Sequence, residues 1–155
     1  MQGDIINKNS IEYVLGEILC NNKLTISTAE SCTGGMVSAK LISYPGISAS
    51  FLEGAVTYSN EAKMKRLGVR KETLDTYGAV SEETAREMVE GIAKESCSNT
   101  AIATTGIAGP GGGTKEKPVG LVYIAVHVNT NTIIENCNSS GNREEVRTLA
   151  TNHAL

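Results

Sequence analysis

Ile11, Val14, Leu15, Ile18 and Leu19 recur at the three- and four-residue spacing of a helix face. They predict an N-terminal helix capped by Ser10 and ended by Asn21 and Asn22. The apolar run LTIST at 24–28 then predicts a buried strand. A helix is expected over 33–42, with Met36, Val37, Leu41 and Ile42 apolar, and a Pro-Gly turn at 43–46 closes it. FLEGAVTY at 51–58 reads as a second strand, in which Gly54 marks a bulge or a close backbone approach.

From 59 onward the pattern returns to helical spacing. SNEAKMKRLG has a cap at Ser59 or Asn60 and a stop at Gly68, and KETLDTYG gives a short helix ending at Gly78. SEETAREMVEGIAKES is the clearest helix. Ser81 caps it, Glu82 and Glu83 suit its positive end, and Ala85, Met88, Val89, Ile92 and Ala93 form one face. TAIAT at 100–104 is a strand of small residues, and GIAGPGGG at 106–113 can only be a loop. VGLVYIAVHV and TIIENC read as paired strands joined by a turn around 129–131. Asn142, with Glu145 three residues on, announces a terminal helix with a capping box. Helices alternate with strands, then two strands run together. The expected fold is α/β: a three-layer sandwich whose mixed, mostly parallel sheet is flanked by helices, in a single domain over 1–155.

Composition narrows the partners. The net charge of −3 gives no electrostatic case for nucleic acid or an anionic membrane. The 40% hydrophobic content suffices for a core, and with one Phe and no Trp that core must be aliphatic. Cys20, Cys32, Cys97 and Cys137 form no CxxC pair, and with only His127 and His153 present zinc-ligand spacing is absent. The polar opening MQGDIINKNS has no signal-peptide core, and no apolar run approaches the roughly 18 residues of a membrane helix. The expectation is a cytoplasmic protein with reduced thiols and neither metal nor cofactor.

Candidate chemistry centres on AESCTGG at 29–35, where a strand gives way to a helix. Ser31 there can attack a carbonyl while the amides of Cys32, Thr33, Gly34 and Gly35 hold the oxyanion. Equally, Ser31 or Thr33 can simply cap the helix. The base is open too. Neither histidine has a carboxylate partner in sequence, and Lys63 lies one turn beyond the 51–58 strand, able to point back over the sheet edge; it also reads as a solvated helix residue. Ser59 shares a helix face with Lys63 and competes with Ser31, and Cys32 competes as a thiol without a histidine to activate it. The run TTGIAGPGGGTKEKPVG fails the spacing of the P-loop and of G-x-G-x-x-G, yet a long glycine loop between strands reads as a ligand loop. Arg143 on the last helix can meet a phosphate or carboxylate bidentately.

Taken together, TAESCTGG, PGISASFLEGAVTYSNEAK, YGAVSEETAREM, TGIAGPGGG with EKPVG, and GNREEVR resemble the C-terminal domain family of the competence-damage-inducible protein CinA. The resemblance runs from about residue 10 to the end, in order. It implies nicotinamide-nucleotide amidase activity, the hydrolysis of nicotinamide mononucleotide to nicotinate mononucleotide and ammonia by a serine nucleophile with a lysine base and no metal. By the same resemblance the catalytic residues are Ser31, Lys63 and Tyr58, the last as a proton-relay or positioning hydroxyl. Cys32, Thr33, Gly34, Gly35, Thr105, Gly106 and Arg143 line the substrate. The implied partners are a small nucleotide substrate and further copies of the chain, a dimer or higher, with no nucleic acid and no membrane. Alternatives are a catalytically weak nucleotide-binding regulatory domain and an amidase for another amide. Two departures stand out: Asn142 replaces the family's usual Asp, and the chain ends at Leu155, where family members usually continue the helix. At 155 residues there is no room for the separate N-terminal domain of some members, so a stand-alone amidase is expected.

Overall fold

The computed structural model describes residues 7–155. The first helix, α1 (Ile11–Asn21), leads into β1 (Ile26–Glu30), α2 (Met36–Ile42), a 3-10 turn at Ile47–Ala49 and β2 (Phe51–Val56). Three helices follow, α3 (Asn60–Leu67), α4 (Lys71–Tyr77) and α5 (Glu82–Ser96), then β3 (Thr100–Gly106), β4 (Leu121–Val128), β5 (Asn131–Asn138) and α6 (Arg143–Ala154).

One five-stranded sheet, ordered β2-β1-β3-β4-β5, forms the middle layer. β1 pairs parallel with β2 and β3, while β3–β4 and β4–β5 are antiparallel, so β4 alone runs against the other four strands. Successive strand residues face opposite sides, and the sequence uses this to make two different faces. Ile26, Ile102, Val122 and Ile124 pack with Leu19 of α1, Val37 and Leu41 of α2, and Val146 and Ala150 of α6. On the other side Ala29, Ala55, Ala101, Ala103 and Ala125 form a nearly flat layer under Met88, Val89 and Ile92 of α5. Alanines there leave room for α5 to lie close against the strands. The third layer continues through Gly91, where a Cβ would stand 2.0 Å from the Leu67 carbonyl oxygen. Glycine at that point lets α5 press directly on the backbone of α3.

Several local expectations hold. Ser59 and Ser81 cap α3 and α5, each accepting from a backbone N–H three residues on, and Gly68 ends α3 at φ 69°. Asn142 and Glu145 form both halves of the capping box on α6. Gly54 is a close approach, since a Cβ there would meet Ser38 Oγ at 2.6 Å; the irregularity of the β1–β2 register lies elsewhere, between Ile26 and Ser27.

Others need correcting. Ser10 occupies the cap position of α1 without a side-chain bond to a backbone N–H of the helix, and Ile11, Val14 and Ile18 of the expected apolar face remain exposed. α2 begins at Met36 rather than at 33, behind Gly35 at φ 98°, so neither Ser31 nor Thr33 caps it. The reason is Glu30, fully buried at the end of β1. Its carboxyl oxygens accept from the N–H groups of Gly35, Val37 and Ser38 and from the hydroxyls of Thr33 and Ser38. A carboxyl reaching up from the strand therefore does the work that a cap residue does in an ordinary helix start.

The two crossovers run on opposite faces of the sheet, β1 to β2 through α2 on one and β2 to β3 through α3, α4 and α5 on the other. In such a sheet the crevice opens at the carboxyl ends of the strands. Val56, Glu30 and Thr104 are the last registered row of β2, β1 and β3. One residue further along lie Thr57, Ser31 and Thr105.

Candidate active site

The alternation that sends Glu30 toward α2 sends its neighbour Ser31 to the other face, toward α3. Ser31 stays in the ladder through its N–H, which donates to the Thr104 carbonyl, and it is 8% exposed. On α3, Lys63 is 1% exposed, an unusual state for an ammonium-bearing chain. Its Nζ stands 3.1 Å from Ser31 Oγ, 2.8 Å from the Thr57 carbonyl and 3.3 Å from the Tyr58 carbonyl. Ser59 is the cap of α3, which leaves Ser31 as the serine that meets the lysine.

These contacts constrain the proton count. The two carbonyls can only accept, so two N–H bonds of the amine point to them. The remaining tetrahedral position faces Ser31 Oγ. In the ammonium that position is an N–H donating to Ser31 Oγ; in the neutral amine it is a lone pair able to accept from the Ser31 hydroxyl. Burial pushes the Lys63 pKa below its ordinary value, because the charged form loses its hydration. No carboxylate forms an ion pair with Lys63 among the described residues. Cys32 does not supply the missing charge at neutral pH. Burial raises its thiol to about 11, so it remains protonated there. The same shift makes Cys32 a poor nucleophile.

The turn after Ser31 is held by bonds from three directions. Gly34 N–H donates back to the Ser31 carbonyl and Gly35 N–H to Glu30. Of the four amides expected to face an oxyanion, those of Gly34 and Gly35 are thus occupied. The N–H groups of Cys32 and Thr33 make no hydrogen bond to another backbone group among the described residues; both lie beside the Cys32 thiol. From α6, Arg147 donates to the carbonyls of Cys32 (Nε, 3.0 Å) and Thr33 (Nη2, 3.0 Å). Thr33 Oγ1 lies 2.7 Å from Thr104 Oγ1, tying the turn to β3.

The other expected site residues lie along the same edge. Tyr58 touches Lys63 through its backbone carbonyl; its hydroxyl, on a 61% exposed side chain, accepts from Arg143 Nη2 at 3.0 Å. Arg143 Nη1 donates to the Gly109 carbonyl at 2.8 Å, so one guanidinium joins α6, the glycine loop and the end of β2. A guanidinium has five N–H groups, and the exposed Arg143 retains three beyond these two bonds. Thr105 is buried, and its hydroxyl donates to the Ala79 carbonyl at 2.6 Å. Gly106 lies at the end of β3, where a Cβ would meet the Leu121 carbonyl oxygen at 2.6 Å.

The glycine loop itself is largely self-supported. At its base Gly120 N–H donates to the Ile107 carbonyl and Ile107 N–H to the Leu121 carbonyl, and Lys117 Nζ pins its far side to the Tyr77 carbonyl at 2.6 Å. Val119 lies over it, so that a Cβ at Gly109 or Gly113 would come within 2.6 or 2.7 Å of Val119 atoms. These two glycines are demanded by the loop's own packing. Gly111 has open space around its Cα.

His127 sits at the other end of the sheet, in register with Ala101 and bonded to Thr132, and His153 faces Glu135. Among the described residues no cluster of three or more His, Cys, Asp or Glu stands close enough to hold a metal ion, and no helix is long and apolar enough to cross a membrane. Sequence reading passed over Glu30 and Arg147. Both are charged residues beside a recognised motif, and only the fold shows that they converge on the serine turn.

Comparison with known proteins agrees with this fold. A competence/damage inducible protein from Agrobacterium tumefaciens is 43% identical with a TM-score of 0.90, covering 92% of this chain and 88% of that one. A CinA superfamily protein from Escherichia coli is 34% identical with a TM-score of 0.90, covering 96% and 88%. A protein of Clostridium acetobutylicum named as competence-damage inducible is 60% identical over 150 residues, which is 97% of this chain and 36% of that relative. The chain thus spans little more than a third of the curated relatives it matches. Residues 8–155 match the CinA C-terminal domain profile, and the chain belongs to that family.

Proposed function

We propose that this domain is an amidohydrolase that converts nicotinamide mononucleotide to nicotinate mononucleotide and ammonia. The observation that carries the reading is the buried contact between Lys63 Nζ and Ser31 Oγ. A lysine amine that no carboxylate among the described residues pairs with, its pKa lowered by burial, is a base suited to a serine hydroxyl.

In this reading Lys63 takes the Ser31 proton as Oγ attacks the carboxamide carbon. The oxyanion forms against the N–H groups of Cys32 and Thr33. The Lys63 ammonium then gives its proton to the departing amide nitrogen, and ammonia leaves an acyl-enzyme. Water, deprotonated by the same amine, attacks the ester and returns Ser31. The nucleotide's phosphate lies toward Arg143 and the glycine loop, where spare guanidinium N–H groups offset the acidic background of the chain. Tyr58 holds Arg143 in place through its hydroxyl.

The test is a direct one. Purified protein is incubated with nicotinamide mononucleotide, and ammonia and nicotinate mononucleotide are measured together. Equal amounts of both products are expected, and neither should form with Ser31→Ala. Turnover of other carboxamides in the absence of turnover of this one would move the reading to a different substrate.

A further inference from the structure

Arg147 lies outside the residues that the catalytic reading uses, yet its fork closes on the two peptide groups that follow the nucleophile. A trans peptide is planar, with its N–H opposite the carbonyl of the residue before. Fixing a carbonyl therefore aims the next N–H. The Cys32 N–H shares its plane with the Ser31 carbonyl, which is held by Gly34 N–H at 3.1 Å. The Thr33 N–H shares its plane with the Cys32 carbonyl, which is held by Arg147 Nε at 3.0 Å. The next carbonyl, that of Thr33, accepts from Arg147 Nη2 at 3.0 Å, and its partner N–H is the one on Gly34 that returns to Ser31. The guanidinium thus sets two consecutive peptide planes, 32–33 and 33–34, and through the latter it supports the Gly34–Ser31 bond that sets the plane of 31–32.

The turn is shaped to admit this side chain. Gly34 is left-handed at φ 62°, and a Cβ there would stand 3.2 Å from Arg147 Nη2. Arg147 comes from α6, whose Val146 and Ala150 are fully buried in the core, so its base is rigidly carried. We propose that Arg147 is a positioning residue that holds the Cys32 and Thr33 carbonyls and so preorganises the neighbouring N–H groups as the oxyanion site for Ser31 chemistry. This rests on the serine-nucleophile reading above. A lysine is a poor substitute, since one ammonium cannot reproduce a planar fork across two carbonyls.

The experiment uses a fluorophosphonate probe, which reports on the serine whatever the natural amide is. Ser31 Oγ attacks phosphorus, fluoride leaves, and the serine proton passes to Lys63; the product is identified by mass spectrometry at Ser31. Labelling rates are measured against pH for wild type, Arg147→Ala and Arg147→Lys, with circular dichroism to establish the fold. A drop of about 10²-fold or more is expected for both variants, the size associated with a lost oxyanion donor. The midpoint of the pH profile, which Lys63 sets, should stay where it is. If Arg147→Ala does not fold, Arg147→Lys alone carries the measurement. Wild-type labelling rates in a folded variant would overturn the role of Arg147 and leave the serine reading standing. A slowed rate with a shifted midpoint would also overturn it, because Arg147 would then be supporting the burial of Lys63. No labelling of the wild type would remove the nucleophile, and this inference with it.

Discussion

Lys63 Nζ and Ser31 Oγ meet at 3.1 Å although 32 residues separate them in the chain. Two features make the meeting possible. The end of β1 presents Ser31 on the α3 face, and Gly68 and Ser59 confine α3 to little more than two turns beside β2. Lys63 then has no route to solvent, and its amine is satisfied by the carbonyls of Thr57 and Tyr58.

Ser31 and Cys32 are adjacent but differ in what their surroundings permit. The thiol is pushed up to about 11 by burial, whereas the serine touches a base. Under the proposed mechanism, Ser31→Ala should lose ammonia release by roughly 10⁴-fold or more while keeping its fold. Cys32→Ala should retain most activity. Ammonia release from both variants decides the matter; an active Ser31→Ala enzyme is incompatible with the mechanism.

In the proposed mechanism Lys63 works as a neutral amine, and burial favours that form. The rate should rise with pH through a midpoint below the ordinary lysine value of about 10.4. Lys63→Arg should be nearly inactive, since guanidinium does not release its proton in this range. Measuring kcat/KM across pH for both proteins tests the two points together. A Lys63→Arg profile that matches wild type would take Lys63 out of the chemistry.

The same shift has a consequence for stability. The unfolded chain binds the Lys63 proton up to the ordinary lysine value of 10.5, while the folded chain releases it at lower pH. Between the two values the unfolded state holds more protons, so wild-type stability gains with rising pH through that window. Below it both states are protonated and the cost of burying the charge is at its greatest. Lys63→Met, which keeps the apolar stem, should therefore be more stable than wild type, with the gap largest at low pH and closing toward pH 10.5. Urea unfolding at several pH values reads this gap directly. A gap independent of pH would mean that Lys63 is not titrating from a buried site.

Much of this arrangement was legible in sequence because it is local. Ser59, Gly68, Ser81 and the Asn142–Glu145 box are signals that act within one turn, and each sits where its helix begins or ends. The alternation of apolar residues gave the strands, and the order of motifs gave the family. What was hidden is long-range or runs against expectation. A glutamate at a strand end normally reads as exposed, yet Glu30 is buried and caps α2 from five residues before Gly35. Arg147 looks like any charged residue on a helix, and its two acceptors lie more than a hundred residues away. Gly91 sits inside the strongest helical pattern, where a glycine signals a packing need without naming the neighbour it serves.

Glu30 can be tested apart from the chemistry. Its carboxyl oxygens accept five hydrogen bonds in a fully buried setting. Glu30→Gln keeps the shape but turns one acceptor into a donor facing N–H and hydroxyl groups. Buried donors left without acceptors cost about 1–3 kcal/mol each, so a loss of about 3 kcal/mol or more is expected from chemical denaturation. A loss below about 1 kcal/mol would mean that α2 does not depend on this carboxyl for its start.

Gly91 connects packing to the site. Its missing side chain lets α5 rest on the Leu67 carbonyl, where a methyl group would stand 2.0 Å from the oxygen. Backbone at both sides leaves nothing flexible to yield, so Gly91→Ala must move α3 relative to α5. Overpacking of this kind costs about 1–3 kcal/mol. Leu67 lies one turn after Lys63 on α3, so the displacement carries the amine with it. A shift of even about 1 Å at a reacting group can lower the rate on the order of 10²-fold. Gly91→Ala should therefore lower kcat well beyond what its stability loss explains at a temperature where it is fully folded. Gly111→Ala, in open space on the glycine loop, is the control and should leave the fold intact. A Gly91→Ala protein that is destabilised yet turns over at the wild-type rate would show that α5 does not set the reach of Lys63.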